Sequence, residues 1–72
     1  MDRIVTADGT MTRLARGENG YKTVCLLKWT PWQEKAVYRV LYNDYEAGGS
    51  AHITEYATKA EARDAAKKFL RG

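Results

Sequence analysis

Residues that could carry catalysis, metal binding or covalent stability are scarce in this sequence. Among 72 residues there is one cysteine, Cys25, and one histidine, His52. Two such residues cannot build a tetrahedral zinc site without carboxylates, and a lone cysteine cannot form an internal disulfide. No GxxxxGK phosphate-binding loop occurs. The sequence therefore predicts a protein that is not an enzyme and needs no cofactor, with Cys25 as a small core residue and His52 at the surface.

Long apolar runs are also missing. No stretch approaches the roughly 20 residues that a membrane-spanning helix requires. The start, MDRIVTADGT, has an acidic residue at position 2 and no apolar segment typical of a secretory signal. Together with the unpaired cysteine, these features favour a cytoplasmic protein without a membrane partner.

Cationic charge is concentrated at the C-terminal end. The net charge is +3, but residues 1–56 contain seven basic and seven acidic side chains. Residues 57–72 contain five basic and two acidic side chains, so they carry the whole excess. Four of these basic residues recur every four positions, which on a helix predicts a row that winds slowly around it. We call this row the helix ridge: Lys59, Arg63, Lys67 and Arg71. This ridge is either the solvent-facing side of a packed helix or a phosphate-docking surface.

The pattern along the chain predicts a single α+β domain, an antiparallel meander of three to five strands with one C-terminal helix packed on one face. We expect an N-terminal hairpin over 1–20, core strands over 21–57 and the helix over 58–71. Asp8-Gly9 predicts a two-residue type I′ turn, and Asn19-Gly20 predicts the next turn. Pro31, the sole proline, is expected to end a strand because it has no N–H to donate.

Alternation predicts which side chains share a face of the sheet. In YKTVCLLKWT, Val24 and Leu26 lie on one face and Cys25, Leu27 and Trp29 on the other, which indicates a central strand. In KAVYRVLYN, one face carries Ala36, Tyr38, Val40 and Tyr42. The last strand is AHITEYA. Thr58 and Glu61 then form a capping box, followed by an apolar stripe at Ala62, Ala65, Ala66 and Phe69.

Aromatic side chains exceed what so small a core can bury, since there are eight in 72 residues. Those beside Pro31 and the loop at 43–50 are candidate partner-binding residues: Trp29, Trp32, Tyr42 and Tyr45. Exposed aromatic residues are enriched at the centres of protein interfaces. The pattern favours a phage or mobile-element regulator or inhibitor that binds a host protein stoichiometrically, such as a polymerase, a nuclease or a CRISPR effector. It is compatible with a monomer or a homodimer.

The end of the chain resembles the AP2-like DNA-binding modules of three strands and a helix found at the amino ends of phage integrases. The resemblance covers about residues 22–71 and rests on VYRVLYN, a glycine-containing loop and the T-K-x-E-A pattern from Thr58 to Ala62. The helix is also similar to the last helix of double-stranded RNA-binding domains. The integrase resemblance implies a sheet laid in the major groove, with Trp29 or Trp32 near DNA. The alternative function is therefore binding of double-stranded DNA through Lys28, Arg39 and the helix ridge.

Overall fold

The computed structural model describes residues 3–46, 48–49 and 51–71, which form five antiparallel strands and one helix. The strands are β1 (Arg3–Val5), β2 (Gly9–Asn19), β3 (Lys22–Pro31), β4 (Val37–Asp44) and β5 (Ala51–Tyr56), and the helix is α1 (Lys59–Arg71). The order of strands across the sheet is the same as their order in the chain. This arrangement confirms the predicted α+β meander with a C-terminal helix, and it places β3 at the centre.

The core lies between α1 and one face of the sheet. Its buried residues are Val24, Leu26, Val40 and Ala62. Around them pack Tyr38, Tyr42, Tyr56, Ala66, Phe69 and Leu70. The alternation in β3 and β4 produces this core, because every second side chain points to the helix. The predicted division of both strands into two faces is confirmed, and Ala62 sits close enough to the sheet to be fully buried.

Both ends of α1 are fixed by side chains. At the start, the Thr58 hydroxyl accepts from the Glu61 N–H at 3.2 Å and donates to the Glu61 carboxylate at 2.9 Å. At the end, the Asn19 amide donates to the Leu70 carbonyl at 2.6 Å, and Lys22 Nζ lies 3.5 Å from the Phe69 carbonyl. The last turn of the helix is thereby attached to the hairpin that joins β2 and β3, which sets its direction across the sheet.

The prediction of a type I′ turn at Asp8-Gly9 is wrong. The Thr6 N–H donates to the Gly9 carbonyl at 2.8 Å, so Ala7 and Asp8 form the loop and Gly9 opens β2. Gly9 does not adopt a positive φ. It is glycine because β2 passes against the end of β3, where an added Cβ would lie 2.7 Å from the Pro31 Cα. The Asn19-Gly20 prediction holds, with Gly20 at φ 63° in the loop before Lys22.

Candidate functional site

The face of the sheet opposite α1 is covered by none of the described elements. We call this face the open face. Cross-strand register places eight apolar side chains larger than alanine on it: Ile4, Met11, Cys25, Leu27, Trp29, Val37, Leu41 and Ile53. None of them is buried. Ile4 and Ile53 are the most exposed, at 63% and 56%. A contiguous exposed apolar surface of this kind usually marks an interaction site.

Charged side chains on the open face are paired with one another. Arg39 stacks over the Trp29 ring at 5.2 Å and donates from Nε to the Glu55 carboxylate at 3.0 Å. Arg16 and Glu18 approach to 4.0 Å. The strand register also places Arg13 here, level with Leu27. Three arginines and two glutamates leave a net charge of +1 on this face, so its electrostatic potential is weak.

A second surface lies where α1 leaves β2 partly uncovered. A groove of about 470 Å³ runs between them, which we call the α1–β2 groove. Its floor is apolar and consists of Leu14, Ala15, Gly17, Val24, Leu26, Ala66 and Leu70. Three members of the helix ridge, Lys59, Arg63 and Lys67, also line it. All four ridge residues are exposed. The ridge is therefore the cationic rim of an apolar groove as well as the outer side of a helix.

The structure separates the predicted partner-binding aromatics. Trp29 lies on the open face. Trp32 is 52% exposed at one end of the sheet, where its indole N–H donates to the Ala7 carbonyl at 2.9 Å. Tyr45 is 58% exposed at the other end, held by its N–H to the Tyr21 carbonyl at 2.9 Å. These three aromatics do not form one continuous patch.

Tyr42 lies on the opposite face, between the sheet and α1. Its ring packs against Phe69 with centroids 4.9 Å apart, and its hydroxyl is 2.9 Å from the Tyr56 hydroxyl. Burial raises the pKa of Tyr42, and the hydrogen bond with Tyr56 raises it further. Tyr42 thus contributes to the packing of the helix on the sheet, on the face away from Trp29.

The residues proposed for DNA binding are also divided between faces. Lys28 is level with Tyr38 in β3 and β4, on the face that α1 covers. Arg39 is on the open face, and the helix ridge is on the covered side. A duplex docked on the open face would contact Arg39 but neither Lys28 nor the ridge. The structure therefore does not bring the six candidate residues together on one DNA-binding surface.

Sequence reasoning missed the breadth of the open face. Met11, Arg13 and Ile53 belong to it, and the alternation within each strand is the signal that could have found them. The register between strands, which brings them side by side, depends on turns and on a β-bulge between Arg13 and Ala15.

In the described ranges, no group of three or more His, Cys, Asp or Glu residues is placed to hold a metal ion. The helix that the structure describes is too short and too polar to cross a membrane. No protein-family model, curated protein or solved structure matches this chain.

Proposed function

We propose that this chain is a small non-enzymatic binding protein that acts by stoichiometric association with a protein partner through its open face. The observation that carries the proposal is the uncovered apolar side of the sheet, centred on Leu27 and Trp29. Burying such a surface is favourable by about 25 cal/mol per Å² of apolar area, and protein partners supply a matching apolar surface.

The composition of the open face supports a protein partner over a nucleic acid. Aromatic residues, methionine and arginine are enriched at the centres of protein interfaces, and this face combines Trp29, Met11 and Arg39. Its net charge of +1 offers little attraction for a phosphate backbone, which binds through many cations. The net positive charge of the whole chain, +3, also disfavours a role as a DNA mimic.

As to the partner, we propose a host protein, such as a polymerase, a nuclease or a CRISPR effector, with this chain as a phage or mobile-element regulator or inhibitor. The support is the small fold, which offers surfaces for contact, together with the exposed aromatics Trp32 and Tyr45 and the half-buried Trp29. A blocking protein needs one firm interface and no catalytic group, and the open face meets that requirement.

Two adjacent residues of β1 provide a matched test. Ile4 and Val5 are 63% and 62% exposed, yet Ile4 points to the open face and Val5 to the other side. The test variant is Ile4→Lys/Ile53→Lys. The control is Val5→Lys/Tyr21→Lys, which adds the same charge at positions of similar exposure, Tyr21 being in the β2–β3 loop. Each protein is used as bait in lysate of the source cells, and bound proteins are quantified by mass spectrometry.

We expect a protein retained in a one-to-one complex by the wild type and by the control, and lost from the open-face variant. Retention by all three baits, or loss from both variants, would contradict the proposal. Circular dichroism and thermal melts verify that the variants are folded, since all four positions are mostly exposed.

A second candidate function is binding of double-stranded DNA, favoured by the four exposed cations of the helix ridge. Because the ridge and Arg39 lie on opposite sides of the sheet, a duplex docked on the ridge would not contact Arg39. Fluorescence anisotropy of labelled duplex DNA, measured at low and high salt, tests this candidate. It predicts binding that falls steeply with salt and disappears in Lys59→Glu/Arg63→Glu. A salt-insensitive signal, or equal binding by the charge reversal, would exclude it.

A further inference from the structure

The outer side of β2 has a stretch without a paired strand. β1 pairs with residues 10–12 of β2, and within the described residues no strand pairs with the outer side of residues 15–19. A β-bulge between Arg13 and Ala15 separates the two parts. We call residues 15–19 the free edge. The outward N–H and C=O groups of such an edge are a template for an incoming strand.

The free edge opens directly onto the α1–β2 groove. Ala15 and Gly17 are level with Leu26 and Val24, so they lie on the face that α1 covers. Because alanine has a small side chain and glycine has none, the groove is unfilled at this point. It is closed beyond Gly17 by Leu70, whose Cδ1 would be 2.8 Å from a Cβ added there. A strand added at the free edge would send every second side chain into this groove, since side chains alternate between the faces.

Charge defines what the added strand would carry. Lys59, Arg63 and Lys67 line the groove, and its described lining contains no Asp or Glu. On the other face of the free edge stand Arg16 and Glu18, 4.0 Å apart, so this face carries no net charge. The three cations on the groove side therefore favour an acidic occupant. Pairing with a second copy is disfavoured, because it would bring two cationic helix ridges to one seam.

We propose that the free edge and the α1–β2 groove form a second binding surface, which takes an extended acidic segment of a partner protein by β-strand addition. Apolar side chains of the segment enter the groove, above Leu26 and Leu70. Side chains on its other face lie beside the Arg16–Glu18 pair, and the groove cations attract the acidic segment as a whole. Main-chain hydrogen bonds supply affinity, while the groove and the charges supply selectivity.

The probe is a short fluorescein-labelled peptide that alternates Glu and Leu, with a peptide that alternates Lys and Leu as its control. Binding is followed by anisotropy, and the site is mapped by hydrogen exchange of the backbone amides. The test variant is Arg63→Gln/Lys67→Gln. The matched control is Lys68→Gln/Arg71→Gln, which also removes one Lys and one Arg from α1 but outside the groove lining.

We expect the acidic peptide to bind and to slow amide exchange in residues 15–19. Loss of the two groove cations should weaken binding about fivefold, the effect of two exposed charge contacts, and the control variant should bind as the wild type does. No binding, equal binding of the basic peptide, or binding without protection of residues 15–19 overturns the proposal. Duplex DNA that protects α1 and competes with the peptide also overturns it.

This second surface is independent of the open face. The variant Ile4→Lys/Ile53→Lys, which tests the open face, changes residues that lie outside the groove lining. It should leave peptide affinity unchanged. Failure of the peptide experiment would therefore leave the proposed function of the open face standing, and failure of the open-face experiment would leave the strand-addition surface standing.

Discussion

Arg39 and Trp29 form a stacked pair at the centre of the open face, with the guanidinium 5.2 Å from the ring centroid. The Glu55 carboxylate holds Arg39 from the other side at 3.0 Å. A large aromatic side chain is thereby immobilised on a surface that no described element covers. Because its rotamer is already restricted, Trp29 would lose little conformational entropy when a partner covers it.

Removal of the Arg39 side chain should loosen Trp29. In a Trp32→Phe background, where Trp29 is the remaining tryptophan, Arg39→Ala should shift the emission to longer wavelength as the ring becomes more hydrated. The free energy of unfolding should fall by about 1 kcal/mol, the size of an exposed cation–π pair with its ion pair. Glu55→Gln, which keeps the stack, is the control. An unchanged emission maximum in Arg39→Ala would contradict this account.

Gly9 should resist substitution more strongly than Gly17. At Gly9 a Cβ would collide with the backbone of β3, at the Thr30 carbonyl and 2.7 Å from the Pro31 Cα. At Gly17 the close atom is the Leu70 Cδ1, which can rotate away. We expect Gly9→Ala to cost about 2–3 kcal/mol of unfolding free energy and Gly17→Ala less than about 1 kcal/mol, measured by urea denaturation. Equal costs would show that the two strands do not approach at Gly9.

Gly9 also shows where prediction from the sequence ends. Asp8-Gly9 is a strong local signal for a hairpin turn, and the prediction was based on that local preference alone. The requirement for glycine comes instead from Pro31, which is distant in the chain and meets Gly9 through strand pairing. The alternation that places Val24 and Leu26 on one face of β3, and Val40 on one face of β4, is by contrast a local pattern within each strand. The division of β3 and β4 into two faces could therefore be predicted, whereas the choice of the face that α1 covers could not.

Alkaline pH should destabilise the protein in part through Tyr42. Its pKa is raised above the ordinary value of 10.0, because burial and the hydrogen bond with Tyr56 favour the neutral phenol. This contribution to stability is fully present below pH 10.0 and is lost as the pH rises through the pKa of the folded state. Tyr42→Phe removes the hydrogen bond and should lower the free energy of unfolding by about 1 kcal/mol at neutral pH. Its unfolding free energy should then decline less steeply above pH 10.0 than that of the wild type.

The matched control for this prediction is Tyr21→Phe, since Tyr21 is 66% exposed in a loop. Urea unfolding across the alkaline range should give the wild-type slope for this variant. If Tyr42→Phe and the wild type lost stability in parallel above pH 10.0, Tyr42 would not be the group responsible.

The start of α1 should depend on the Thr58 hydroxyl. It accepts from the Glu61 N–H and donates to the Glu61 carboxylate. Thr58→Ala should therefore lower the free energy of unfolding by about 1 kcal/mol. Thr58→Ser keeps the hydroxyl, and its free energy of unfolding should stay within about 0.3 kcal/mol of the wild type. Thermal melts of both variants measure the difference. Equal melting temperatures would mean that the cap does not stabilise the helix.

The surfaces were harder to predict than the fold. The sequence places Trp29 and Tyr42 among the same surplus of aromatics, yet Trp29 stands on the open face and Tyr42 packs under α1. Which face the helix covers is decided by the whole core, not by either residue. The free edge of β2 could not be predicted either, because it depends on β1 pairing no further than Thr12 in the described residues.

The measurement that tests the central claim most directly compares Ile4→Lys/Ile53→Lys with Val5→Lys/Tyr21→Lys as baits for a stoichiometric protein partner. If the open face is the docking surface, the first variant loses the partner and the second retains it with the wild-type stoichiometry. If both variants retain the partner equally, the open face is not the binding surface and the proposed function is wrong.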